Sequence, residues 1–302
     1  MARSITVAAL SMALEQRHPL TAEQNRRHVD ALAAQVSPLR PDLLVLPEIY
    51  LTGGLPDRGP AEPQPLDHLQ QLAERHHALV AGCLYQERDG RLYNSMVVVA
   101  PDGAELGHYD KMHPTEGELG WQITPGALDQ APIDTPLGRI GGQICFDANW
   151  PEGWASLAAQ GADLILFPSA FAAGRLLTAL AATYTVAIVP AIRTLQSGVI
   201  SNTGEWLART DRFTAWAAAT IDLERTVFHW DEQGHLLPDI VSRYGSRLRV
   251  ETYGDEAWFV LTPNDHDLTI AEVIAEFDLL TYRQYIARAG AAQDAARSVE
   301  RG

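Results

Sequence analysis

The chain has 302 residues, with 23 lysines and arginines against 38 aspartates and glutamates and a formal net charge of −15. That balance argues against nucleic acid or an anionic membrane surface as the main partner, since both are polyanions that bind through basic patches. The composition, 46% hydrophobic and 20% charged, suits a globular protein with a sizeable core. The two cysteines, Cys83 and Cys145, have no paired spacing for zinc or a disulfide framework.

From the amino end, Ile5-Thr6-Val7-Ala8-Ala9-Leu10 reads as a strand. No signal-peptide pattern precedes it and no apolar run reaches membrane-spanning length, so a reduced, cytoplasmic protein is expected. Thr21-Ala22-Glu23-Gln24 has the form of a capping box. Val29, Leu32, Ala33 and Val36 follow at helical spacing, and Pro38 and Pro41 end that helix. Leu43-Leu44-Val45-Leu46 is a continuous apolar run, as in a strand buried on both faces, and it ends in Pro47-Glu48. A Gly/Pro-rich loop from Gly53 to Pro65 leads to a helix through Leu66, Leu69, Leu72 and Ala73. Strands at 78–84 and 93–99 turn at Asp89-Gly90, and a further hairpin turns at Pro101-Asp102-Gly103. Cys83 sits among apolar neighbours and reads as packing. The third strand ends in Tyr109-Asp110-Lys111, and a loop continues through Trp121 to Pro125-Gly126.

Gly141-Gly142-Gln143-Ile144-Cys145 reads as a buried strand with a thiol at its end. The chain then turns at Asn149 into a helix opened by Pro151 and Glu152, with Trp154, Leu157 and Ala158 inward. A strand at 164–168, an alanine-rich helix to about residue 183, a strand at 186–192 and short strands near 198–201, 206–209 and 215–221 follow. Alternating strands and helices make the class α/β. The first 225 residues form the main domain of this reading. Residues 226–289, charged and looser, are expected as an extension packed on the core or on a partner subunit, with one helix at 269–287. Residues 290–302 read as a mobile tail.

Glu48, Lys111 and Cys145 each close a strand, and in an open α/β sheet such ends can converge on one ligand. A thiol attacks a carbonyl, a carboxylate takes its proton and returns one to a leaving amine, and an ammonium holds the negative oxygen. Each residue alone has a plainer reading: a filler cysteine, a solvated strand end, a surface charge.

Together the blocks resemble the nitrilase (carbon–nitrogen hydrolase) superfamily over roughly residues 5–225. Leu-Leu-Val-Leu-Pro-Glu48 is similar to its first block. Asn94-Ser95, Pro101-Asp102-Gly103, Tyr109 and Lys111 are similar to its second. Gly-Gly-Gln-Ile-Cys145-Phe-Asp-Ala-Asn-Trp-Pro151-Glu152, with Gly161-Ala162-Asp163 and Pro168-Ser169-Ala170, is similar to its third. The resemblance implies an α-β-β-α sandwich, a Glu48–Lys111–Cys145 triad, a thioester intermediate resolved by water, and no metal or organic cofactor. Lys111-Met-His-Pro-Thr-Glu-Gly-Glu118 marks Glu118 as the family's second glutamate, with Glu116 as its rival by spacing. The Phe146 N–H would share the oxyanion hole with Lys111. The family's subunits pair through the helices near the cysteine, so a homodimer is implied, with Trp150 and Trp154 either on its face or in the core.

Phe146-Asp147 after the cysteine is closer to the amidase and carbamoylase branches than to nitrilases proper. Ala148 and Asn149 stand where those branches often carry a carboxylate-gripping arginine. Asn149 is either a substrate contact or a helix cap. Asp110 replaces a basic residue common before the family lysine. Tyr50, Trp121 and Phe171 could wall an apolar pocket or fill the core. The expected activity is hydrolysis of a small, mostly uncharged amide. The alternatives are a nitrilase, an acyltransferase, a ligand-binding protein without turnover, and a papain-like site using His113 or His229.

Overall fold

The computed structural model describes residues 4–12, 21–53, 64–194 and 196–299. Most of the Gly/Pro-rich loop, residues 54–63, lies outside the described residues, as do the two ends, 1–3 and 300–302. By contacts the chain divides into two compact units, Ile5–Ile221 and a smaller one that joins Ser4 to the part from Asp222 onward.

In the larger unit, β1 (Ser4–Leu10), α1 (Ala22–Val36), β2 (Leu43–Val45) and α2 (Pro65–His76) lead to β3 (Leu79–Arg88), β4 (Arg91–Val99), β5 (Glu105–Asp110) and the short α3 (Glu116–Gly120). Next come β6 (Ile133–Thr135), β7 (Gly138–Gly142), a 3₁₀ turn at Cys145–Asn149, α4 (Pro151–Ala159), β8 (Leu164–Ser169) and α5 (Gly174–Tyr184). β9 (Ala187–Ile192), β10 (Gly198–Ile200), β11 (Trp206–Arg209) and β12 (Trp216–Asp222) complete it. The strands make two six-stranded sheets, ordered β12-β1-β2-β3-β4-β5 and β11-β10-β9-β8-β7-β6. The central strands of each run parallel, β1-β2-β3 in one and β7-β8-β9 in the other.

Each sheet covers one face with helices. α1 and α2 bury Val29, Leu32, Val36, Leu69 and Leu72 against the first sheet. α4 and α5 bury Trp154, Leu157, Leu177 and Leu180 against the second. The remaining faces meet each other closely. A Cβ on Gly142 would lie 2.7 Å from both Met96 and Tyr109 of the opposite sheet, so only a glycine fits there. This is the α-β-β-α sandwich, and the two apolar strand runs are continuous because both of their faces are covered.

Local signals explain the element ends. Thr21 and Gln24 form the reciprocal capping box at α1. Asp89 and Gly90 both take positive φ, +51° and +71°, which is the two-residue turn whose twist matches a hairpin. Asp110, the departure before the lysine, is met by Arg88 at 2.5 Å and by the Ser95 hydroxyl at 2.6 Å. Arg88 reaches the carboxylate from β3, across the intervening β4.

The smaller unit holds more structure than the single helix expected. β13 (Thr226–His229), α6 (Leu237–Tyr244), β14 (Leu248–Tyr253), β15 (Trp258–Pro263), α7 (Ile270–Phe277) and α8 (Tyr282–Val299) form an antiparallel sheet, β13-β15-β14, with helices and a core of its own. Phe228, Phe259, Leu261, Ile240 and Val273 fill that core. The helix expected at 269–287 is two helices, because Asp278 takes a left-handed φ of +50° and ends α7. The tail expected from Gly290 is helical through Val299. No described helix is long and apolar enough to cross a membrane.

Candidate active site

Three strands of the larger unit deliver the reactive groups. Past β2 the chain runs through Pro47 to Glu48, and past β5 it reaches Lys111 at once. Past β7 it continues through Gln143 and Ile144 to Cys145, which opens the 3₁₀ turn. All three side chains are buried, Lys111 to 1% exposure.

Lys111 lies between two carboxylates. Its Nζ donates to Glu48 Oε1 at 2.8 Å and to Glu118 Oε1 and Oε2 at 2.9 and 2.7 Å. Asn94 Nδ2 donates to the same pair, at 2.9 Å to Glu48 and 3.0 Å to Glu118. Burial opposes the ammonium, but Glu48, Cys145 and Glu118 outweigh it, and the Lys111 pKa rises. Burial likewise opposes the Glu118 carboxylate, and Lys111, the Thr115 N–H and Asn94 together lower its pKa. A buried ammonium held by two carboxylates, themselves fixed by the Asn94 amide, stays charged and in place.

Glu118 is placed by its helix. Thr115 caps α3, accepting from the Glu118 N–H at 3.2 Å, while Glu118 Oε2 accepts from the Thr115 N–H at 2.8 Å. The Pro-Thr-x-x-Glu sequence is thus a capping box that aims its glutamate at the lysine. Glu116, the rival by spacing, is exposed.

Cys145 has φ +50°, a left-handed backbone unusual for a residue with a side chain. Its thiol lies within electrostatic reach of both Glu48 and Lys111. The Ala170 N–H, just past the end of β8, donates to Glu48 Oε2 at 3.1 Å. Burial pushes the thiol pKa up to about 11; Glu48 adds to the rise and Lys111 opposes it. Arg193, at the end of β9, holds the segment carrying Glu48. Its Nε donates to the Glu48 carbonyl and its Nη1 to the Gly53 carbonyl, each at 2.8 Å.

The pocket residues expected from the sequence divide. Tyr50 is not a pocket wall. Ile49 takes φ +45°, and Tyr50 is buried in the core under α1 and α2, its hydroxyl donating to the Pro65 carbonyl at 3.2 Å. Asn149 is exposed and donates to the Phe146 carbonyl at 3.0 Å, closing the turn. Trp154 is no dimer face: it is fully buried, packs on Phe167 and donates through Nε1 to the Asp147 carbonyl. Trp150 stacks on His113 with ring centres 4.2 Å apart. Trp121 and Phe171 are both 39% exposed, one at the end of the helix bearing Glu118 and the other beside Ala170. Cys83 is buried on β3 opposite Met96. His113 faces Asp147, and His229 stacks on Tyr285 in the smaller unit. No group of histidine, cysteine and acidic side chains among the described residues could hold a metal ion.

Sequence reasoning gave no role to Asn94, Ala170 or Arg193. The signal for Asn94 was its place in the Asn94-Ser95 pair of the second block. Ala170 acts through its backbone, which no side-chain pattern reveals.

The fold is the one seen in solved carbon–nitrogen hydrolase structures. The sequence model of the carbon-nitrogen hydrolase family matches residues 6–228, and the chain belongs to that family. It is 32% identical over 111 residues to a citrullinase of Francisella tularensis subsp. tularensis, covering 35% of this chain and 38% of that protein. It is 31% identical over 106 residues to an N-carbamoylputrescine amidase of Solanum tuberosum, covering 34% and 35%. The chain spans about a third to a half of the length of the curated relatives it matches. Among solved structures, a carbon-nitrogen hydrolase from Helicobacter pylori G27 aligns with a TM-score of 0.66 at 23% identity, over 74% of this chain and 90% of that one.

Proposed function

We propose that this protein is a thiol-dependent hydrolase of small amides, with Cys145 as nucleophile, Glu48 as general base and acid, and Lys111 as the cation for the oxyanion. The observation that carries the reading is the buried Lys111 ammonium, held by Glu48 and Glu118 within electrostatic reach of the Cys145 thiol. Lys111 and Asn94 occupy Glu48 Oε1, which leaves Oε2 with capacity for the thiol proton.

A thiol with a pKa of about 11 is neutral at neutral pH, so attack needs a base. Glu48 takes the thiol proton as sulfur bonds to the amide carbon, and the carbonyl π pair moves onto oxygen. Lys111 Nζ and the Phe146 N–H, in the opening turn where N–H groups lack partners of their own, receive that oxygen. The carbonyl re-forms, and the leaving nitrogen takes the proton from Glu48 and departs as ammonia or an amine. Water then adds to the thioester with Glu48 again as base, and sulfur leaves as the thiol. Glu118 keeps Lys111 charged and in position throughout.

The capping-box role of Thr115 and Glu118 is the same whether an amide or a nitrile is turned over, so this loop does not favour nitriles. The test is intact-protein mass spectrometry with ammonia detection on a panel of simple amides, N-carbamoyl compounds and nitriles. A mass gain on Cys145 with turnover is expected from an amide-type compound, and none from Cys145→Ala. Turnover surviving in Cys145→Ala would reject the mechanism.

A further inference from the structure

Asp147 is fully buried and takes no part in the chemistry above. Its carboxylate gathers donors from three places in the chain. Oδ2 accepts from the Tyr109 hydroxyl at 3.0 Å and from the Ile144 N–H at 2.9 Å. Oδ1 accepts from the His113 N–H at 2.8 Å and lies 3.0 Å from His113 Nδ1, where the Nδ1-protonated tautomer donates. Tyr109 in turn accepts from Gln143 Nε2 at 2.9 Å, so donation runs from Gln143 through Tyr109 to Asp147.

The placement of these donors is what matters. Tyr109 and His113 stand two residues before and after Lys111, and Ile144 precedes Cys145. One carboxylate therefore ties both sides of the lysine segment to the turn that carries the thiol. That turn holds Cys145 at φ +50°, a conformation that persists only when its surroundings over-determine it. The Trp150 ring stacked on His113 closes the same knot from the outside.

We propose that Asp147 is a positioning residue: it sets the Cys145 sulfur against Lys111 by accepting from all four donors at once. The proposal rests on the Cys145–Glu48–Lys111 reading. Asparagine has one oxygen acceptor, and its NH₂ would face two of the four donors, so it cannot replace the aspartate even though its shape is the same.

The experiment compares Asp147→Asn, His113→Ala and Trp154→Phe with the unaltered protein, reading kcat, KM, melting temperature and the rate of Cys145 alkylation by iodoacetamide. Trp154→Phe is the control, since it removes only the bond to the Asp147 carbonyl and some core volume. Asp147→Asn should lower kcat about 100-fold, the scale expected for a misplaced reacting group, with KM within about threefold. His113→Ala keeps its backbone donor and should lower kcat about tenfold, with an altered alkylation rate. Trp154→Phe should lose melting temperature and keep its kcat. A kcat in Asp147→Asn within about threefold of the unaltered protein overturns the proposal. If Asp147→Asn does not fold, an unchanged kcat and alkylation rate in His113→Ala overturn it instead. Turnover surviving in Cys145→Ala, measured alongside, would reject the active-site reading itself; an inactive Cys145→Ala beside a normal Asp147→Asn rejects the positioning role alone.

Discussion

The backbone N–H of Ala170 donates to Glu48 Oε2 at 3.1 Å across 122 residues of chain, joining the end of one sheet to the loop leaving the other. Glu48 Oε1 already accepts from Lys111 and Asn94, so Oε2 is the oxygen with capacity for the thiol proton. Glu48→Gln removes that capacity and turns an NH₂ toward donors on one side or the other. It should lower kcat by about 10²- to 10⁴-fold, the usual worth of a general base, with a folded circular dichroism spectrum. Ammonia release within tenfold of the unaltered rate would take the role from Glu48.

The thiol gives a pH test whose sign is fixed. Burial first, and then Glu48, raise its pKa from 9.0 to about 11 against the pull of Lys111. Alkylation of the free protein by iodoacetamide should therefore keep accelerating as pH passes 9, without levelling off near neutrality. The same shift contributes stability that is complete below 9.0 and is lost as pH rises toward about 11, because the unfolded chain releases this proton first. Cys145→Ala should accordingly lose less melting temperature than the unaltered protein across that window. An alkylation plateau below about pH 8 would mean a thiolate at rest and no need for a base.

What the sequence disclosed follows from where each signal resides. The apolar runs of β2 and β8 and the Thr21 capping box are local, and the structure has them where they were expected. Glu48, Lys111 and Glu118 were visible because their side chains make the contacts and their spacing is that of strand ends and one helix cap. Ala170 stood in the third block without a role because its N–H, and not its side chain, makes the bond to Glu48, and Tyr50 was misplaced because the positive φ of Ile49, which turns it under the helices, has no mark in the residue type. β14 escaped notice because its alternating polar residues, Arg249, Glu251 and Tyr253, leave little apolar run in an edge strand. Trp154 looked available for a partner because a helical stripe shows which residues share a face and not what that face meets.

Gly142 tests the closeness of the two sheets. A methyl group there would lie 2.7 Å from Met96 Cε and from Tyr109 Cβ, and Tyr109 cannot retreat while it bridges Gln143 and Asp147. Gly142→Ala should cost about 1–3 kcal/mol, the usual penalty of overpacking a core. For a domain of this size that is a fall of roughly 2–12 °C in melting temperature. Gly254→Ala, where an added methyl group would meet nothing, is the comparison. Equal melting temperatures in the two variants would show that the sheets part without cost.

Arg193 tests whether the backbone around Glu48 must be held for the carboxylate to work. Its guanidinium spans the Glu48 and Gly53 carbonyls with two N–H groups at 2.8 Å each. Its own N–H is bonded to the Ser169 carbonyl, next to Ala170. Lysine keeps the charge but offers one compact ammonium, which cannot satisfy both carbonyls with the same planar geometry. Arg193→Lys should therefore lower kcat about tenfold through displacement of Glu48, while cysteine alkylation stays near the unaltered rate because the thiol turn is untouched. Arg193→Met, which loses the charge as well, should fall further in kcat and lose about 2 kcal/mol of stability for the hydrogen bonds to a charged group. A melting-temperature loss with kcat unchanged in both variants would confine Arg193 to holding the fold.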